Sequence, residues 1–390
     1  RDLRPAGAAS PLRPARGATP RVGRVTEPSA PIRRQEQEPA GEEVQELAPN
    51  LYRLQLPISM PGLGHVNCYA MEDERGLTLV DPGLPGEASW KVLVERLGQL
   101  DARVEHVHTV VVTHSHPDHF GGVHQLCDES GATVLTHADF RSAYGNDDPG
   151  GPASQLADLV EEPLADAEPS VDEAIEAFRE GMRRATPWGT VREPPPIAEM
   201  KTWGEGGLGA RAFSVPRPDR TLEDADEVVL GGRTWIAVHT PGHTHDHLCL
   251  YDPADGLFLS GDHVLPTITP HIGGVSELED PLAMFMDSLD RMEEFAAVSL
   301  VLPAHGHPFT DLVGRADDIR RHHGERLDVI REAGSELGRA TVDAFMQRLF
   351  SERSWGYMAA SETYAHLEHL RLTGGADRSD EGGVSSFLIS

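Results

Sequence analysis

Apolar residues between positions 51 and 80 come in short runs, 51–56, 66–71 and 77–80, separated by glycine-rich turns, the texture of a strand meander. The period then changes. Over 85–99, Trp90, Val92, Leu93, Val94 and Leu97 form an imperfect stripe that predicts a helix with one buried face. Val110, Val111 and Val112 run on without a polar break, as in a buried strand, and a helix opening at 123–127 and a strand at 132–135 follow. This order suits half of an αβ/βα sandwich. Further on, 228–230 and 233–238 read as a hairpin turned by Gly231-Gly232, with strands at 248–251, 257–259 and 298–302, a helix at 281–295 and a polar helix at 317–333.

Three stretches fall outside that pattern. Residues 1–46 are rich in Pro, Ala, Gly and Arg without an apolar period, which predicts a disordered tail, with an organelle-targeting segment as the alternative. The span 137–220 is longer than a strand–helix–strand unit requires and carries helical apolar spacing within 155–180, beside nine acidic residues and Arg179. Such an insertion is either a lid over a substrate pocket or a surface helical pair. From 335 onward, helices at 341–350 and 358–372 and a turn-rich β wing at 374–388 suggest a winged-helix-like module. Its five Arg against eight acids lack the electrostatic footprint of a DNA reader, which favours packing or homo-oligomerisation.

Composition narrows the class. The chain of 390 residues is 39% hydrophobic and 25% charged, has no apolar run long enough for a membrane span, and lacks an initiating Met. Residues 1–35 hold eight Arg against Asp2 and Glu27, a net of +6 within −29 overall, leaving −35 on residues 36–390. A body so acidic disfavours nonspecific nucleic-acid binding. Cys68, Cys127 and Cys249 are odd in number and unpaired in pattern, which fits a reducing, cytoplasmic setting, with Cys249 a core thiol.

The chemistry centres on Thr113-His114-Ser115-His116-Pro117-Asp118-His119, three imidazoles and a carboxylate delivered by the end of an apolar strand. His-rich turns also occur on solvated surfaces, but three later segments answer this one. They are His243 in Thr240-Pro241-Gly242-His243-Thr244, Asp262 in Ser260-Gly261-Asp262-His263, and His305 in Pro303-Ala304-His305-Gly306, each after a strand-like run. Four strand ends would converge on one edge.

The order His-x-His-x-Asp-His, His, Asp, His, preceded by Leu79-Val80-Asp81-Pro82-Gly83, resembles the metallo-β-lactamase-fold hydrolases, with all five motifs in order across about 225 residues. The resemblance implies a four-layer αβ/βα sandwich with a helical insertion. It also implies two first-row ions such as Zn2+, one held by His114, His116 and His243, the other by Asp118, His119 and His305, with Asp262 as bridge. A metal-bridging hydroxide would be the nucleophile, with Asp118 orienting it or handling its proton, and Asp81 would fix the direction of a ligand. His247, His263 and His271 are candidate contacts to substrate or ligands. His65, His106, His108, His124, His137, His307, His322 and His323 read as surface or capping residues.

Asp at the bridging position disfavours antibiotic hydrolysis. Together with the terminal module it is most similar to the glyoxalase-II-like branch and its β-lactamase-like 2 relatives. Two activities stay open: hydrolysis of a small thioester or related acyl ester, which the acidic body favours, and endoribonucleolytic cleavage of single-stranded RNA, as in a mitochondrial relative with the same two-domain plan. A one-iron sulfur dioxygenase uses fewer ligands than the seven present. A non-catalytic metal scaffold is the remaining reading.

Overall fold

The computed structural model describes residues 34–60, 62–141, 170–183, 185–192, 194, 196–203 and 214–390. The meander forms as its alternation requires. Strands β1 (Gln45–Ala48), β2 (Leu51–Met60), β3 (Leu63–Asp73) and β4 (Gly76–Val80) pair antiparallel in sequence. Beyond helix α1 (Glu87–Gly98), strands β5 (Val107–Val111), β6 (Thr133–His137) and β7 (Arg220–Leu222) continue the sheet in parallel, giving seven strands in the order β1 to β7. Two short helices, α2 (Pro117–Phe120) and α3 (Val123–Ser130), fill the β5–β6 crossover.

A second sheet carries β8 (Glu227–Leu230), β9 (Arg233–His239), β10 (Leu248–Asp252), β11 (Leu257–Gly261) and β12 (Leu300–Pro303), antiparallel except for β11–β12. The β8–β9 hairpin turns on Gly231 and Gly232, both at positive φ (57° and 71°), as a two-residue turn of this hand demands. Alternation sorts each strand's side chains into layers. Leu248, Leu250, Leu257 and Leu259 face Tyr69, Met71, Val80 and Val111 of the first sheet. Cys249 and Phe258 face outward to α6 (Pro281–Asp290) and α7 (Leu312–Leu337), and Val110 and Val112 face α1 and α3. The result is the four-layer αβ/βα sandwich.

Some boundaries move for physical reasons. Val94 is 42% exposed, so α1 buries a narrower stripe around Leu93 and Leu97. The helix expected over 281–295 tightens into a 3-10 turn from Arg291 to Phe295. The polar helix expected at 317–333 starts earlier, where Asp311 caps it by accepting from the Gly314 N–H (3.0 Å).

The larger correction concerns the tail. Of the stretch expected to be disordered, residues 1–33 lie outside the described residues, while 34–46 is built into the fold. Glu36 is fully buried, its carboxylate accepting from Thr267 N–H (2.8 Å), Ile268 N–H (3.2 Å) and the Thr267 hydroxyl. Glu38 pairs with His307 (2.9 Å). The strap is tied by polar groups, so it shows no apolar period.

Of the insertion, residues 142–169 and 204–213 lie outside the described residues. Its described helices are α4 (Val171–Met182) and α5 (Ile197–Trp203), and Trp188 packs against Tyr357 and Tyr364 (5.7 and 5.6 Å between ring centroids). From 340, β13 (Ala340–Thr341), α8 (Val342–Leu349), α9 (Tyr357–Leu372), β14 (Ala376–Glu381) and β15 (Val384–Ile389) follow, with a three-stranded sheet ordered β13-β15-β14. The expected break at 334/335 is not a packing boundary. Helix α7 runs through it, and one hydrophobic cluster joins Phe258 and Phe285 to Phe345, Leu367 and Phe387.

Candidate metal centre

Four strand ends and one loop deliver the candidate residues to a single point. The β5 end carries the His run, and Thr113 sets its start: its N–H donates to Asp81 Oδ1 and its hydroxyl to Asp81 Oδ2, both at 2.8 Å. With its proton committed to Asp81, the Thr113 oxygen accepts from His114 Nδ1–H (3.1 Å), leaving His114 Nε2 a bare lone pair. The other imidazoles are fixed in the same way. His119 Nδ1–H donates to Asp81 Oδ2 (2.9 Å), His243 Nδ1–H to the His271 carbonyl (2.9 Å), and His305 Nδ1–H to the His65 carbonyl (2.7 Å). Gly242, at φ 138°, lets the chain pass where a Cβ would lie 2.4 Å from Phe285 Cβ, and so places His243.

The bare nitrogens then face one another. His116 Nδ1 lies 3.0 Å from His114 Nε2 and 3.1 Å from His243 Nε2, and one proton on His116 can serve only one of them. His119 Nε2 and His305 Nε2 are buried without a hydrogen-bond partner, each 3.5 Å from Asp118 Oδ2. Ligand atoms around a tetrahedral zinc stand about 3.3 Å apart. Orphaned lone pairs at these separations fit divalent cations, in two groups: His114, His116 and His243, and Asp118, His119 and His305. Asp262 touches both, its Oδ2 3.6 Å from His243 Nε2 and its Oδ1 3.3 Å from His305 Nε2.

The electrostatics match. Burial works to raise the Asp118 carboxyl, but the His119 and His305 imidazoles outweigh it and hold it near 2. Burial works to lower His119, and the Asp118, Asp81 and Asp262 carboxylates overcome it and push it well up. The carboxylates that favour a proton on His119 would equally favour a metal cation, which would have to displace that proton to reach Nε2.

The remaining candidates separate. His247 Nε2 accepts the Asp262 N–H (2.9 Å) while its Nδ1–H donates to Thr240 (2.7 Å), so it positions Asp262. His271 supplies the carbonyl under His243, and its ring, pushed down to about 4 by burial and then by Arg326 and Arg192, borders the cavity beside the centre. His263 packs edge-on against Phe285 (5.3 Å), and its pKa is pushed down to about 3 chiefly by burial; it belongs to the core. Of the histidines read as surface residues, His65, His124, His137 and His323 are buried. The helical spacing of Ala316, Ile319, His323, Leu327 and Ile330, all buried, is the signal that marks the His323 face.

His323, Glu362 and His366 form a further potential ligand group. His366 Nδ1–H donates to the Glu362 carbonyl (2.7 Å), its Nε2 accepts from His323 Nδ1–H (3.2 Å), and the Glu362 carboxylate is held by Arg326. His323 Nε2 is left buried without a hydrogen-bond partner, and the bonds among these side chains tie α7 to α9.

A sequence profile of the metallo-beta-lactamase superfamily matches residues 61–321, which contain every ligand candidate. The chain belongs to the metallo-β-lactamase superfamily. It is an enzyme of the metallo-hydrolase class, and the superfamily fold implies divalent metal binding. A superfamily protein of known structure, TTHA1429 from Thermus thermophilus, is 27% identical, with a TM-score of 0.64 over 88% of this chain and 100% of its own. YqjP of Bacillus subtilis (strain 168), described as a probable metallo-hydrolase, is 25% identical over 79% of this chain and 88% of its length. Two fungal proteins are described as atrochrysone carboxyl ACP thioesterases. AgnL7 of Paecilomyces divaricatus is 28% identical over 48% of this chain, and nsrC of Aspergillus novofumigatus (strain IBT 16806) 31% over 35%. The chain spans only 56% and 44% of those two relatives' lengths.

Proposed function

We propose that this superfamily hydrolase cleaves a thioester, and that His114, His116 and His243, and Asp118, His119 and His305, with Asp262 between them, would hold two divalent ions, zinc or another first-row metal. The observation that carries the dinuclear reading is the placement of Asp262 between the two groups of nitrogens, its Oδ2 3.6 Å from His243 Nε2 and 3.8 Å from His119 Nε2 and its Oδ1 3.3 Å from His305 Nε2. Ions bound there supply Lewis acidity toward the substrate carbonyl and make water a nucleophile near neutral pH. Water adds to the acyl carbon, the carbon–sulfur bond breaks, and a proton reaches the departing sulfur, giving a carboxylic acid and a thiol. Asp118, held as carboxylate, orients the water and accepts its proton; Asp81, His247 and the carbonyls of His65 and His271 keep the ligands aimed.

The fungal thioesterases support the substrate class. So does a cavity of about 1220 Å³ that reaches the centre at His116, Asp118, His243, Asp262 and His305. Endoribonuclease action is the second reading: Arg315 and Arg353 border the same cavity, and Trp355 in the loop before α9 is 41% exposed. Against it stand the −35 charge of residues 36–390 and the burial of residues 359–368 of α9, which a winged-helix reader would present to nucleic acid. Among the described residues no helix is long and apolar enough to cross a membrane. Metal-replete protein tested against acyl thioesters and single-stranded RNA side by side decides between the readings; turnover of RNA alone overturns the first.

A further inference from the structure

The cavity runs well beyond the metal centre, and its far wall carries charge that the rest of the molecule does not prepare for. Outside the candidate ligands it is bordered by six arginines and four carboxylates, in a body whose residues 36–390 sum to −35. One face of α7 supplies Arg315, Arg321 and Arg326, and the loop between α8 and α9 supplies Arg353. Two of these are committed, Arg321 to Asp318 and Arg326 to Glu362, the latter also lying 4.6 Å over the Phe350 ring.

Arg315 differs. Its Nε and Nη2 donate to the Leu265 and Ile268 carbonyls (2.7 and 2.8 Å), in the loop that follows Asp262, and it makes no ion pair among the described residues. Two carbonyls fix the guanidinium, and the Asp318 and Glu36 carboxylates act on its charge from a distance without forming an ion pair with it among the described residues. Arg353 is exposed and likewise has no ion pair among the described residues. The same lining carries the apolar residues Leu265, Ile268, Val275, Tyr357 and Met358.

Resting on the thioester reading above, the geometry points to a phosphate seat on Arg315 and Arg353, backed by Arg326, so that the substrate is a phosphopantetheinyl thioester. Its phosphoryl end lies on the arginines, its arm lies along the apolar lining, and its acyl–sulfur bond reaches Asp118 and Asp262. A fixed guanidinium, with Arg326 and Arg353 lining the same cavity, offers paired N–H donors to the two unesterified oxygens of the phosphodiester at the end of such an arm. Free coenzyme A and a carrier protein present the same arm.

The test compares, on metal-replete full-length protein, kcat/KM for one acyl group on coenzyme A, on a carrier protein and on N-acetylcysteamine, which has the thioester without the phosphate. The expected preference for a phosphate-bearing form over N-acetylcysteamine is about 10-fold or more, and R353E and R315Q each lower that ratio about 10-fold. The ratio cancels general damage to the centre, and the Arg353 side chain has no hydrogen bond or ion pair among the described residues. A ratio near unity in the native protein, or unchanged in both variants, overturns the phosphate seat while leaving thioester hydrolysis standing. Hydrolysis of none of the three defeats the thioester reading, and calorimetric titration of coenzyme A still reads the seat: binding lost in R353E supports it, no binding overturns it. Tighter binding of a single-stranded oligonucleotide than of coenzyme A through the same arginines overturns it in favour of RNA. Faster turnover on coenzyme A or on the carrier protein identifies which source the cavity takes.

Discussion

Replacing Asp81 separates the support of the centre from the centre itself. Its carboxylate is 1% exposed and accepts three buried donors: Thr113 N–H, the Thr113 hydroxyl and His119 Nδ1–H. In Asp81→Ala these donors lose their acceptor at about 1–3 kcal/mol each, so roughly 3–6 kcal/mol is expected after partial relaxation. The backbone at φ 54° adds to this, because Ala tolerates the left-handed region less well than Asp. Asp81→Asn is the sharper probe. If the amide oxygen keeps the Thr113 N–H, the amide nitrogen faces His119 Nδ1, and the ring can accept that bond only by moving its proton to Nε2, the atom that faces Asp118. Metal affinity should then fall about 10- to 100-fold, the size typical for lost support of a ligand, with a smaller stability loss than in the alanine variant. Metal retained after dialysis against graded chelator, with urea unfolding in parallel, measures both. Native metal affinity in Asp81→Asn would refute the claim that this carboxylate sets the His119 tautomer.

Other outcomes follow from the same geometry. Asp262→Ala should abolish metal retention and hydrolysis together, a larger effect than Asp81→Ala; equal metal content and turnover would remove the bridge. Glu36→Ala should cost about 1.5–3 kcal/mol through its buried bonds to Thr267 and Ile268, read as a shifted urea midpoint, and an unchanged midpoint would show the strap to be idle. His323 and His366 are held well below their ordinary values by burial and then, respectively, by each other's neighbourhood and by Arg326. They are neutral when folded and take protons when unfolded, so their contribution is complete above about pH 6.5. It is lost as pH falls, by up to about 1.4 kcal/mol per pH unit per histidine. Unfolding at pH 8, 6 and 5 should show a shallower acid loss in His323→Gln than in the native protein; parallel curves would contradict it.

The residues brought together at the centre are legible because each sits at the end of an apolar run, so local motifs name His114, His116, Asp118, His119, His243, Asp262 and His305. The sandwich is legible for a related reason, since alternation along β10 and β11 already divides Leu248 and Leu250 from Cys249. What escapes is non-local. The carbonyls of His65 and His271 that turn two ligand rings carry no residue-type signal at all. The arginine wall draws on positions from 34 to 353 and has no local pattern. The strap at 34–46 escapes because Glu36 anchors it, and a buried carboxylate is invisible to hydrophobic periodicity.

Metal content measured alongside hydrolysis bears most directly on the centre. Purified full-length protein should carry two equivalents of divalent metal per chain, lose thioester hydrolysis as chelator strips them, and regain it on re-addition. Fewer than one equivalent at saturation, or hydrolysis that survives complete removal of metal, would contradict a pair of cations held by these seven side chains.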